Sequence, residues 1–263
     1  HNTARGEYIE KHMDKLSVEY LRNRMLANYR TMATLGTKVP RLANFVMGLD
    51  ITSYLGDKLM GIPSERDMPE FATETFRQWW KQRGGSKVSN PDKQVAYVHG
   101  CYSNFNTTEV GKAMVRVYEE FGYEVLVPKQ QCSGTPMFAN GMLDDARREA
   151  EVNVRELGAA IENGAEVIAS CTSCSMSLRQ EYPELFDIDG IDELAAHTWE
   201  SLEFLRVNED LEAKLSEAEI DPQAFAYHAP CHARNQGIDH QAIELFRELD
   251  GATIEDVGDS CSG

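Results

Sequence analysis

The sequence predicts an α/β chain built on a parallel sheet, and three observations predict it. From Gln94 onward, short apolar runs alternate with amphipathic helical stretches, the pattern of βαβ units. Each run breaks at Gly, Pro or Ser, and the loops after the runs carry cysteines. At 263 residues, with 42% apolar and 9% aromatic composition, the chain can bury sizeable cores without disulfides or a structural metal, so any metal serves chemistry first. No run of about 18 apolar residues occurs, which argues against a membrane-spanning helix.

Residues 1 to about 62 show helical periodicity, as in Leu42, Phe45, Val46 and Leu49 and then Leu55 and Leu59. The apolar stripe from Pro40 to Met60 lacks the Lys/Arg-rich flank of a membrane-surface helix, so it is expected to pack on a partner or the next domain. Gly61 to Pro91, with Phe76, Trp79 and Trp80 inside it, reads as a connector laid over the surface of the next domain. Val95–Val98 is the first strand, leading into Gly100-Cys101. A helix from about Thr107 to Phe121 comes next, with Val110, Met114, Val117 and Phe121 on its apolar face and Asn106 with Glu109 placed like a capping box. Glu124–Val127 is the second strand and delivers Gln131-Cys132-Ser133-Gly134. The helix Leu143–Glu162 buries Ala146, Ala150, Leu157 and Ile161 and stops at Asn163-Gly164. Ala165–Ala169 is the third strand and delivers Cys171-Thr172-Ser173-Cys174. One helix around Ile191 to Leu205 carries Trp199 as a core residue.

Ligands in open parallel sheets bind beyond the carboxyl ends of the strands, so four cysteines are expected on the side where a site forms. Four soft thiolates from three loops match the ligand count of an iron-sulfur cluster. Zinc takes the same number but usually draws on two close pairs, and only Cys171 and Cys174 form a pair here, so the cluster is the favoured reading. A thioredoxin-like dithiol at Cys171 and Cys174, or four buried inert thiols, are the alternatives. With six cysteines and no apolar leader, a reducing compartment is the default.

An internal repeat adds to this. Phe225-Ala226-Tyr227-His228, ending at Pro230-Cys231-His232, parallels Ala96 to Cys101, and Cys261-Ser262-Gly263 parallels Cys132-Ser133-Gly134, at offsets of 130 and 129 residues. A second Cys-x-x-Cys is then expected about 130 residues beyond Cys171, past the end of this chain, which begins without Met and reads as a piece of a longer polypeptide. The expected architecture is two tandem Rossmann-like three-layer repeats, the second truncated, behind a helical N-terminal segment. Residues 1–90 form the segment and connector, 91–188 the first repeat, and 189–263 a linker helix and the start of the second.

The order Gly-Cys, Cys-x-Gly, Cys-x-x-Cys, repeated, resembles the cysteine-rich domain found twice in iron-sulfur subunits such as heterodisulfide reductase B and the glycolate and lactate oxidase iron-sulfur proteins. Within that group, Phe76–Trp80, Val98–Asn104, Gln131–Gly141 and Tyr227–His232 look like the C-subunit family of anaerobic glycerol-3-phosphate dehydrogenases. The resemblance implies a 4Fe-4S cluster held by Cys101, Cys132, Cys171 and Cys174, with Cys231 and Cys261 belonging to the second repeat. It also implies partners: a flavoprotein catalytic subunit holding FAD, a membrane-linked subunit, and quinone as acceptor at the cytoplasmic membrane face, where the protein is peripheral. A ferredoxin-like domain with two further clusters precedes this region in the family and is not among these residues. The family usually has two adjacent cysteines before the glycine, where Ser133 and Ser262 stand here, so a four-thiolate cluster is expected and a five-thiolate one is not.

His99 and His232 flank Cys101 and Cys231 and could tune or ligate a cluster, although a hydrogen-bonded structural histidine is the commoner outcome at a strand end. Asn104, Gln131 and Thr135 could donate to cluster sulfurs or cap their loops. No nucleophile–base–acid set, P-loop or dinucleotide fingerprint is present, so the chain itself is expected to relay electrons and leave substrate chemistry to a partner. Cluster-catalysed disulfide reduction and a metal-stabilised docking module are the alternative functions. A count of 43 acidic against 26 basic residues, net −17, argues against nucleic acid as a partner. Only 10 of the 26 basic residues are Lys, a surface suited to high salt.

Overall fold

The structure, a computed structural model, describes residues 2–65, 68–216 and 221–258, so Cys261 and Ser262 lie outside the described residues. Four strands form one parallel sheet: β1 (Gln94–Val98), β2 (Glu124–Leu126), β3 (Glu166–Ala169) and β4 (Thr198–Glu200), in the order β2-β1-β3-β4. β1 pairs with β2 from Gln94 opposite Glu124 and with β3 from Val95 opposite Glu166. The chain leaves β1 toward one side of the sheet and returns, after β2, to the other. The strand order therefore reverses between β1 and β3, the position where open α/β sheets hold their ligands.

Side-chain alternation makes this a three-layer unit. Ala96, Val98, Val167 and Ala169 face one way, into a core with the helix Leu143–Ile161, Leu178 and Tyr182. Val95, Tyr97 and Ile168 face the other, against the helices Phe76–Arg83, Thr108–Glu120 and Ser201–Asn208. Leu143–Ile161 buries the expected Ala146, Ala150, Leu157 and Ile161, and Gly164 stops it with a left-handed φ of 91°.

Three local expectations are corrected. The helix Thr108–Glu120 buries Thr108, Gly111, Val115 and Tyr118, while Val110 and Val117 are exposed. The rotation has a cause: Gly111 lacks a side chain, and the Phe76 ring lies where a Cβ would sit, 2.7 Å away at its nearest atom. Asn106 does not cap this helix. Its amide donates to the Glu70 carbonyl and accepts from the Tyr29 hydroxyl, while Glu109 pairs with Lys112. The helix expected around Ile191 to Leu205 is instead a helix Ile191–Ala196, strand β4 and a helix Ser201–Asn208, which Glu200 opens by accepting from the Leu202 and Glu203 amides. Trp199 is thus a strand residue, and its indole N–H donates to Glu166.

The stretch before β1 is more than a connector. Thr75 and Gln78 form a capping box, and the helix they open buries Phe76 completely. Truncating such a ring costs about 3–5 kcal/mol. The N-terminal segment is helical as expected, from Asn2–His12 through Asp50–Met60. Its apolar stripe does not turn inward, for Phe45 is 66% exposed and Leu42 59%. Beyond the first sheet, β5 (Gln223–Tyr227) pairs in parallel with β6 (Ala252–Asp256), and the helices Cys231–Asn235 and Gln241–Arg247 lie between them in sequence.

Candidate metal centre

The loops after β1, β2 and β3 meet beyond the strand ends. Gly100, at φ +64°, turns the chain out of β1 so closely past the third loop that a Cβ there would stand 3.1 Å from Cys174 Sγ. Cys132 and Cys174 are buried and Cys101 and Cys171 partly so. The sulfurs form two interacting pairs, Cys101 with Cys132 and Cys171 with Cys174, and Cys174 lies close enough to Cys132 to feel its charge. Ser133 ties the pairs together, its hydroxyl donating to Cys174 Sγ at 3.3 Å. In the described residues it therefore acts as a donor to sulfur.

Each pair divides its acidity. A hydrogen bond from the Cys174 thiol, helped by the Cys174 and Ser173 amides, outweighs burial and draws the Cys171 thiol down to about 6. Donating that bond, and being buried, pushes Cys174 up. Cys132 is likewise lowered by its bond from Cys101 and by the Gly134 amide, while Cys101 is raised. Thiolate is the form that binds metal, so the fold stabilises one thiolate in each pair before any ligand arrives.

Among the described residues no three Cys, His, Asp or Glu side chains close on a single ion. One zinc holds all its sulfurs at about 2.3 Å and needs that convergence. Four cysteine thiols from three loops are the donor chemistry that an iron-sulfur cluster takes.

The surrounding shell is polar and largely hydrogen-bonded. Asn153, from the middle of Leu143–Ile161, accepts from the Gln131 amide at 2.7 Å and donates to the Cys132 carbonyl and the Tyr182 hydroxyl, both at 3.0 Å. The Cys132 amide donates to Glu149. Gln130 accepts from the His99 amide and donates to the Tyr97 carbonyl at 2.9 Å, locking the β2 loop to the end of β1. Thr135 bonds the Ser177 hydroxyl at 2.7 Å, where the helix after Cys174 widens into a π-helical turn, Ser177–Glu181, a feature common near functional sites.

The other sequence candidates divide. His99 is buried with both ring nitrogens engaged, Nδ1 with the Gly100 carbonyl at 2.7 Å and Nε2 facing Arg77 at 3.4 Å. Burial, with the Arg77 and Arg30 charges adding to it, holds its pKa down to about 3, so it is a neutral structural group. Asn104 accepts from the Arg77 amide and is a loop anchor. Cys231 is exposed. Its helix nevertheless docks on the Cys171–Cys174 loop: His232 Nδ1 bonds the Ser173 hydroxyl, and Gln236 donates to the Thr172 carbonyl at 2.9 Å. Sequence reasoning missed Asn153, Gln130 and Glu149. Asn153 had a signal, a polar residue in register with the apolar stripe of its helix.

A family model described as "Cysteine-rich domain" matches residues 95–179, the span from β1 through the Cys171–Cys174 loop. The C subunit of anaerobic glycerol-3-phosphate dehydrogenase from Escherichia coli is 30% identical over 251 residues, covering 92% of this chain and 61% of that protein. The B subunit of fumarate reductase (CoM/CoB) from Methanothermobacter marburgensis is 29% identical over 65% of this chain and 33% of its own length. Lactate utilization protein A from Bacillus velezensis is 32% identical over 59% of this chain and 64% of its own. No solved structure gives a significant match. Residues 95–179 thus match the cysteine-rich domain, in a chain that resembles the C subunit of anaerobic glycerol-3-phosphate dehydrogenase along nine-tenths of its length while spanning about three-fifths of that protein.

Proposed function

We propose that the chain is the iron-sulfur part of an electron-transfer subunit, relaying electrons from a flavin-containing glycerol-3-phosphate dehydrogenase subunit to membrane quinone. The observation that carries this reading is the meeting of Cys101, Cys132, Cys171 and Cys174 at the point where the strand order of a parallel sheet reverses. The similarity to the glycerol-3-phosphate dehydrogenase C subunit supports the choice of dehydrogenase. A 4Fe-4S cluster held by these four thiolates supplies one-electron storage, which a two-electron flavin and a quinone need between them.

The chain's own residues do the rest. The Cys171 and Cys132 thiols are both made more acidic by neighbouring thiols and amides, and Ser133 donates to sulfur, which stabilises the more negative, reduced state. Cys231, with Cys261 outside the described residues, belongs to a second repeat. The parallel β5–β6 pair supports that repeat. Attachment is peripheral at the cytoplasmic face through partner subunits; among the described residues no helix is long and apolar enough to cross a membrane.

Replacing Cys171 by Ala tests the ligand set. The expected outcome is loss of the cluster's visible absorbance with an unchanged far-ultraviolet spectrum and an unchanged α/β fold. Full absorbance in Cys171→Ala would remove Cys171 from the ligands.

A further inference from the structure

A cavity of about 470 Å³ opens between the helix Tyr29–Gly36 and the cysteine loops, and one of its walls is Cys101. Arg30, Lys38 and Arg77 line it and no Asp or Glu does, in a chain whose acidic residues outnumber its basic ones by 43 to 26. A cavity with only cationic charge is therefore against the trend of the molecule. Its cations are also short of counter-charges. Arg77 spends one nitrogen, Nη1, on the Pro128 carbonyl at 3.0 Å and on His99, and neither it nor Lys38 has a carboxylate within 4 Å among the described residues. Arg30 reaches Glu149 only at 3.8 Å. A half-buried guanidinium without a carboxylate, as at Arg77, carries an unrecovered desolvation cost, which an anion would offset.

A second, independent feature lies in the same wall. Gln131 lines the cavity, and its side-chain oxygen is buried with no hydrogen-bond partner. A buried amide oxygen without a donor is uncommon, and a ligand supplies the missing partner either directly or after the amide rotates. The volume lies in the range of small-molecule sites and exceeds what water alone requires.

We propose that this cavity binds an oxyanion of metabolite size, a phosphate or a carboxylate, through Arg30, Lys38, Arg77 and Gln131. The bound anion sits against Cys101. Negative charge there disfavours an added electron, so occupancy lowers the cluster's potential and, by linkage, oxidation tightens anion binding. The site itself is read without the cluster, so its failure and the failure of the electron-transfer reading are separable.

Calorimetric titration of the anaerobically prepared protein tests it, using inorganic phosphate in one arm and succinate in the other, with chloride matched for ionic strength. One saturable site per chain is expected for at least one probe, and the stronger arm identifies the anion. Lys38→Gln, at an exposed position, is expected to weaken that binding about five- to tenfold while iron content stays unchanged; Lys81→Gln, outside the cavity, is expected to leave it unchanged. No saturable binding above the chloride control would overturn the proposal. So would equal weakening by Lys38→Gln and Lys81→Gln, because that is general surface electrostatics.

Discussion

Gly100 shows how little room the centre leaves at the scale of one residue. Its φ of +64° suits glycine alone, and the place of its absent Cβ is 3.1 Å from Cys174 Sγ. Gly100→Ala is expected to cost about 1–2 kcal/mol from the left-handed backbone, and to displace Cys174, so that purified protein retains less iron than the parent. Thermal unfolding with iron determination checks both; a variant equal to the parent in both would show the loop to be slack. The four cysteines were legible because strand ends and thiols are both marked in the sequence. The role of Ser133 was not, since a hydroxyl at 3.3 Å from sulfur depends on a side-chain direction that spacing does not encode, whereas His99 is the hydrogen-bonded strand-end histidine that the sequence favoured. Asn153 lay between these cases: its register with Ala146 and Ala150 placed it inward, but its partners come from a loop 21 residues away and a tyrosine 29 residues on.

Among the elements, the long helices and three of the four strands of the main sheet followed the hydrophobic pattern. β4 did not, because Thr198–Glu200 is three residues long and sits between two helical stretches that read as one. The helix Thr108–Glu120 was found and its face partly so: Met114 and Phe121 pack on the core as expected, while Val110 and Val117 are exposed. Tyr118 and Thr108 are polar by type, yet the Tyr118 hydroxyl donates to the Ser201 carbonyl at 2.8 Å, which lets the ring be buried. The end of that helix is tied to the preceding segment by Glu119, which takes two bonds from Arg83, at 2.7 and 2.5 Å, and one from the Lys87 amide. Burial pushes the Glu119 carboxyl up, but Arg83 and the Lys87 amide outweigh it and hold it below the usual carboxylate range. A lowered folded pKa means stability present above the unfolded value of about 4.5 and lost as pH falls through the folded one. Glu119→Gln is accordingly expected to destabilise by about 1–3 kcal/mol at pH 7, with the difference from the parent shrinking below about pH 4. Denaturant melts at pH 7 and pH 3.5 measure it, and a difference independent of pH would contradict the pairing.

At the scale of the whole molecule, charge decides more than packing. A net charge of −17 spread over one chain repels itself, and salt screens that repulsion within about 10 Å at 0.1 M. The melting temperature is expected to rise as KCl is raised from low salt, and a flat or falling curve would argue against an acidic surface adapted to salt. Length and composition indicated a chain with sizeable cores; they gave no hint that the stripe at Leu42 and Phe45 stays exposed, because an apolar face looks the same whether it packs on its own chain or not. The parallel sheet and the side of it that carries the site were legible for a physical reason: βαβ connections leave every strand of a unit pointing the same way, so loops after successive strands share one edge.

The central claim is that Cys101, Cys132, Cys171 and Cys174 hold one iron-sulfur cluster. Iron, sulfide and zinc analysis with low-temperature EPR on anaerobically prepared protein tests it most directly. About four irons and four sulfides per chain, little zinc, and a signal that appears on reduction are the predicted result. Stoichiometric zinc, or no metal and no signal after anaerobic preparation, would contradict it.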